Sequence, residues 1–244
     1  MRALSAQEML AVWERGLDQL PLERALTLLE ASCPESEPRA LAAMSIGRRD
    51  ARLLTLREWA FGSRMTGCSV CKSCEQPLEI DIQVSDLRQS AEDTEPGVVS
   101  LAASGYELSL RPVNSLDLAA CMSAGRKSDV TRQLFTRCLV EARSTEGAAS
   151  AEEVPDEVAQ LAMEHIAKAD PQADLEIVIA CAACGQNTTE IFDVVAFFWN
   201  EIDTWARRIL REIHVLASAY GWRENEILAL SPLRRQFYLD MAGA

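Results

Sequence analysis

Two Cys-x-x-Cys pairs, Cys71/Cys74 and Cys181/Cys184, stand about a hundred residues apart, each between strand-like segments. No other feature of the sequence constrains the fold as much. Two intervening residues let a tight turn aim both sulfurs at one ion, and two such hairpin tips close a tetrahedron. The chain must then bring two distant hairpins together as the halves of a split zinc ribbon. The first pair lies in "GCSVCKSCEQ", where a third cysteine, Cys68, stands three residues before Cys71. The strand "LEIDIQV" follows, with Leu78, Ile80, Ile82 and Val84 alternating with polar residues. It marks Cys71 and Cys74 as the pair and leaves Cys68 as a spare thiol on the incoming strand. Gly185 follows the second pair, at a place where a positive φ is often needed. Glu75 stands at the matching place after the first pair, which is less favourable. Four cysteines fill the tetrahedron and leave no position for water, so the site reads as structural Zn2+. Two other readings fit the same letters. One is four ordinary thiols. The other is a redox pair, although that motif opens a helix in a βαβ unit, which this sequence does not show.

The chain as a whole reads as α+β, mainly helical, with the split zinc ribbon formed by two β-hairpins. Residues 1–62 are an N-terminal helical region. Ser5 and Glu8 form a capping box ahead of Met9, Leu10, Trp13 and Leu17. Pro21 opens a second helix that runs to about Ser32. A third spans Ser45 to Phe61, with Ile46, Leu53, Leu56 and Trp59 on its inner face and Gly62 as its stop. Residues 63–90 hold the first half of the ribbon and 172–195 the second. Between them, 91–171 form an insertion. It opens with the polar loop "SAEDTEPG" and the hairpin "VVSLAASGYELSLRPV", which turns near Ser104 and Gly105 with Tyr106, Leu108 and Leu110 on one face. Two helices follow, "NSLDLAACMSAG" capped by Asn114 and "SDVTRQLFTRCLVEA" capped by Ser128 or Asp129. The stretch "STEGAASAEEVP" reads as a loop, and a helix then runs from Pro155 to about Asp170. Residues 196–244 hold a long amphipathic helix on which Phe198, Ile202, Trp205, Ile209, Ile213 and Leu216 recur at spacings of three and four. Two short helices follow, the last with Ser231 as N-cap and Pro232 at its first position.

The net charge of −13, from 24 basic and 37 acidic residues, repels phosphate backbones and argues against nucleic acid as a partner. No apolar run approaches the roughly 18 residues needed to span a bilayer. The start lacks the apolar core of a signal peptide, so a cytoplasmic protein is expected. Cys33, Cys121 and Cys138 stand alone in helical text and read as small buried hydrophobes. His165 and His214 each lie in a helix without a convincing catalytic partner, and no nucleotide or nucleophile motif appears. No catalytic residue is assigned, and the chain reads as a protein that is not an enzyme.

The stretch "LREIHVLASAYGWRENEILALSPLRRQFYLDM" carries many large apolar residues for short helices. Either they pack back onto the long helix, or they form a partner surface, for which Trp222, Ile227, Leu230, Arg234, Arg235 and Tyr238 are the candidates. The order "CxxCxxxLE", CxxCG, "FxWxEI" and "ARRILREIHxLAxAYGWxExEILALSPxRRxxYL" resembles the T-even-phage-type baseplate hub assembly protein family, found with contractile phage tails and tail-like contractile injection systems. The resemblance spans most of the chain and is densest from Ile177 to Met241. It implies a non-enzymatic assembly factor, or minor structural component, of the baseplate hub, whose partners are hub, spike or tape-measure proteins. It carries the metal ligands over to Cys71, Cys74, Cys181 and Cys184. The first knuckle departs from the pattern, reading Cys-Lys-Ser-Cys-Glu without the usual proline and glycine. Read without the resemblance, the same features suit a zinc-ribbon interaction adaptor outside any tail, or less well an enzyme with an unrecognised site.

Overall fold

A computed structural model describes residues 1–89, 96–124 and 129–243. The chain forms two compact units, Met1–Glu35 with Val194–Ala244, and Ser36–Asp193. The first helices of the N-terminal region thus belong with the C-terminal helices, and its last helices belong with the hairpins.

Helices α1 (Ala6–Gly16) and α2 (Pro21–Ser32) open the first unit. The capping box forms as expected: the Glu8 N–H donates to Ser5 Oγ at 3.3 Å and the Ser5 N–H to Glu8 Oε2 at 2.8 Å. Met9, Leu10, Val12 and Gly16 form the buried face of α1, whereas Leu17 is exposed.

The second unit starts with α3 (Pro38–Ala43) and α4 (Ile46–Phe61), the latter capped by Ser45. Ile46, Leu53 and Leu56 are buried, but Trp59 is 48% exposed, contrary to expectation. At about 100° per residue, position 59 lies about 120° around the helix from Leu53. Arg57, four residues after Leu53, is buried in its stead and donates to the carbonyls of Gly62 and Arg64. Strands β1 (Arg64–Val70) and β2 (Pro77–Gln83) form the first hairpin, and the single turn α5 (Val84–Leu87) follows. Residues 90–95 of the expected polar loop lie outside the described residues, as does the candidate cap Ser128.

Among the described residues the insertion is a four-stranded antiparallel sheet in the order β3-β4-β5-β6 with three α-helices. β3 (Val99–Ala103) and β4 (Tyr106–Leu110) are the expected hairpin. α6 (Ser115–Ala124) begins with a reciprocal cap between Asn114 and Asp117, and Asp129 caps α7 (Val130–Cys138). That helix is shorter than its sequence suggested. Leu139–Ser144 turns into β5 and pairs with β4, and Gly147–Ala148 returns as β6 inside the stretch read as a loop. Pairing with a distant strand wins over local helical spacing. α8 (Asp156–Ala169) closes the insertion core, in which Leu108, Leu110, Phe135, Cys138, Ala142, Val158, Ala162 and Ile166 are buried. Asp117 is fully buried and accepts from Arg111 at 2.6 and 2.9 Å and from Arg137 at 3.0 Å.

β7 (Glu176–Ala180) and β8 (Asn187–Ile191) form the second hairpin. The chain then re-enters the first unit through α9 (Val194–Tyr220), α10 (Glu224–Leu228) and α11 (Pro232–Ala242). α9 buries Phe198, Ile202, Ala206, Ile209, Ile213 and Leu216. A Cβ on Gly16 would lie 2.2 Å from the Trp199 ring, so the small residue lets α1 approach α9 closely. Trp13 donates to Asp203 at 2.9 Å, and Arg235 of α11 donates to Glu212 of α9 at 2.9 Å.

One regularity runs through the chain. α4, β1, β2 and α5 recur as α8, β7, β8 and the start of α9 at a constant interval of 110 residues: 46 and 156, 71 and 181, 84 and 194. Met65 and Leu175, Leu78 and Thr188, and Val84 and Val194 are buried at matching places.

Candidate metal centre

The two hairpin tips are built alike. In the first, the Cys71 N–H donates to the Gln76 carbonyl at 2.9 Å and the Glu75 N–H to the Cys71 carbonyl at 2.9 Å. In the second, Cys181 donates to Gln186 at 2.9 Å and Gly185 to Cys181 at 2.8 Å. Both turns need a left-handed residue after the second cysteine. Gly185 supplies it at φ 72°, where glycine meets no penalty, and Glu75 takes it at φ 58°, with a Cβ that disfavours it.

The tips meet. Cys71, Cys74, Cys181 and Cys184 place their sulfurs within 4.8 Å of one another. Cys71 Sγ lies 3.7 Å from Cys184 Sγ, and Cys74 Sγ lies 3.6 Å from Cys181 Sγ. A disulfide needs about 2.05 Å, so these are separate thiols. A tetrahedron with metal–sulfur bonds of about 2.3 Å has sulfur–sulfur edges of about 3.8 Å, and the cluster fits that size. Cys71 and Cys181 are buried, Cys74 is half-buried and Cys184 is exposed. Among the described residues, Leu78 and Ile179 join them in an apolar cluster. Lys72 reaches across from the first tip, donating to the Thr189 carbonyl at 2.9 Å and pairing with Glu190 at 3.2 Å. Its reach was not legible in the sequence, since nothing local to Lys72 points to β8.

The backbone prepares the sulfurs for a cation. The N–H groups of Ser73 and Cys74 hold the Cys71 thiol down to about 6. The Cys184 N–H lowers the Cys181 thiol below its ordinary value, helped by that of Ala183. Cys74 moves the other way: the Gln76 N–H lowers it, but the sulfur of Cys184, burial and the sulfurs of Cys71 and Cys181 push it up to about 12. Each knuckle therefore favours a thiolate at its deeper cysteine, and four sulfurs this close cannot all ionise without a cation among them. The four residues could hold one metal ion and offer it a complete sulfur shell.

Cys68, opposite Glu79 in the β1–β2 register, is exposed and outside the cluster. Cys33, Cys121 and Cys138 are buried, as small hydrophobes should be. Of the candidate partner-surface residues, Ile227 and Arg235 are buried, Trp222, Leu230 and Tyr238 are half-buried, and Arg234 is exposed. Packing accounts for several of them: Trp222 stacks on Tyr220 at 4.7 Å and meets the edge of Tyr238 at 4.8 Å. The large apolar side chains that α11 does expose are Leu233, Phe237 and Met241.

An α+β fold with small antiparallel sheets, two matched knuckles and a four-cysteine cluster defines a protein whose best-built site is a metal-type clasp. No described helix is long and apolar enough to cross a membrane. The sequence matches the family described as T4 bacteriophage base plate protein over residues 7–199, and the chain belongs to that family. No curated protein and no solved structure matches it. The match ends within α9, ahead of most of the C-terminal text.

Proposed function

We propose that the protein is a non-enzymatic assembly factor or minor structural component of the baseplate hub of a contractile tail or contractile injection system. Membership of the base plate family is the observation that carries this reading. Its partners are hub, spike or tape-measure proteins, and it joins them in the cytoplasm, where tail-like particles assemble. Cys71, Cys74, Cys181 and Cys184 hold one structural Zn2+ as a split zinc ribbon. Sulfur donors in tetrahedral number suit zinc, and a full shell leaves no position for a reacting water. The ion, when bound, supplies folding energy and no reaction step.

The test is made in the intact tail operon. Deleting this gene should leave particles without a complete baseplate, and the tagged chain should co-purify with hub or spike subunits. Normal particles from the deletion strain, with no tail protein retained on the tagged chain, would sink the reading. The metal is tested separately: about one zinc per chain, resisting mild chelation, is expected.

A further inference from the structure

β3 is an edge strand that lacks the usual protection. It sits at one end of the sheet, paired to β4 without a bulge, and among the described residues no strand lies on its other side. Edge strands present free N–H and C=O groups, and proteins blunt them with charges, proline, bulges or short length. Val99–Ala103 carries no charge and no proline. Every other described strand carries a charged side chain, except β6, which is two residues long. Leu101 and Ala103 pack against the insertion core, so the strand is anchored, while Ser100 and Ala102 are exposed.

The open face of the sheet adds chemistry to this edge. Ser100, Ala102 and Ser109 form the low floor of a trough of about 480 Å³ bordered by Glu107, Glu141 and Arg143. In register, Ala102 pairs with Glu107 and Glu107 with Arg143. Arg143 turns to Glu141 at 2.7 Å, which leaves Glu107 facing the trough with no cation partner among the described residues.

We infer that β3 is a docking edge for an extended basic segment of a partner protein, which adds as a fifth strand with a Lys or Arg beside Ala102 and its charge on Glu107. Free backbone groups select an extended segment, since main-chain hydrogen bonds supply the affinity in strand addition. Strands lie about 4.8 Å apart, so a long basic side chain beside Ala102 has only a methyl group to cross before Glu107. The sign of the charge selects the partner. A second copy is a poor occupant, because β3 contains no Lys or Arg and two copies edge to edge would leave both Glu107 carboxylates unmatched. The inference goes beyond the baseplate reading and does not depend on it.

The test uses the full chain and three acetylated peptides of about seven residues, a typical strand length. They alternate valine with lysine, glutamate or threonine. Amide exchange is followed by NMR. The Lys–Val peptide should protect amides within residues 99–103 and bind more tightly than the Glu–Val peptide. Glu107→Gln should weaken the Lys–Val peptide about threefold, as expected of an exposed ion pair, and leave the Thr–Val peptide unchanged. Ala102→Arg should abolish binding of the Lys–Val peptide while the melting curve and metal content stay those of the parent chain. Equal binding of the Lys and Glu peptides, protection elsewhere in the sheet, or a dimer of this chain that Ala102→Arg returns to monomer would each overturn the inference.

Discussion

The clasp and the insertion it brackets lie in the same unit and are held by different physics. The insertion has an apolar core of Leu108, Leu110, Phe135, Cys138, Ala142 and residues of α8. The clasp has two short hairpins, and the apolar side chains packed with its cysteines are Leu78 and Ile179. Two-stranded hairpins are marginal in water without further support. The insertion can therefore rest on burial, while the clasp has little apolar cover and four sulfurs that could hold a metal ion. Within the clasp the two knuckles share one backbone but not one sequence, and Glu75 does at a steric cost what Gly185 does freely.

The largest effect should come from breaking the clasp. Cys71→Ser or Cys181→Ser should each remove bound metal and lower the melting temperature by more than about 10 °C, because metal binding and folding are coupled. Hydrogen exchange would show β1, β2, β7 and β8 losing protection while β4 and β5 keep theirs. Equal loss in β4 and β5 would break the comparison.

The converse experiment targets the insertion. Asp117→Asn strands Arg111 and Arg137 around a buried site and should cost about 3 kcal/mol in chemical denaturation, with metal content unchanged. Burial raises the Asp117 pKa, but hydrogen bonds from Arg111, the Asn114 N–H and Arg137 outweigh it and hold the group below the usual range. A depressed folded pKa means that this stability is present above the unfolded value of about 3.9 and is lost as pH falls through the folded value. Acid titration of the parent chain and of Asp117→Asn should therefore converge below that range.

Smaller effects sharpen the comparison between the knuckles. Glu75→Gly should stabilise the chain by about 1 kcal/mol, by relieving a left-handed side chain. Gly185→Ala should cost about as much, in the same denaturation assay. Cys68→Ser should change stability by less than about 0.5 kcal/mol and leave the metal content untouched. If it released metal while Cys71→Ser retained it, the ligand set would be wrong.

Much of the local structure was legible because its causes are local. The Ser5/Glu8 box, the Asn114, Asp129 and Ser231 caps and the α9 stripe follow from neighbours a few residues apart. The misses differ in cause. β5 reads as helix until its distant partner β4 is in place, whereas Trp59 is a local miss, since helix phase alone puts Arg57 rather than Trp59 on the Leu53 face. Of the two roles left open for the C-terminal apolar text, Ile227 and Arg235 take the packing one, through the core beside Ile213 and the Glu212 carboxylate.

By itself the sequence determined the two knuckles, the alternation of strands around them and the residue types that bind soft metal, because spacing and chirality act within a few bonds. The tertiary structure alone decided that the four sulfurs lie within one coordination shell, that Lys72 reaches across to β8, and that β3 is an edge. The first two depend on distances between segments roughly a hundred residues apart and the third on the strand order of the insertion sheet, and all are fixed only when burial and pairing across the whole unit are satisfied together.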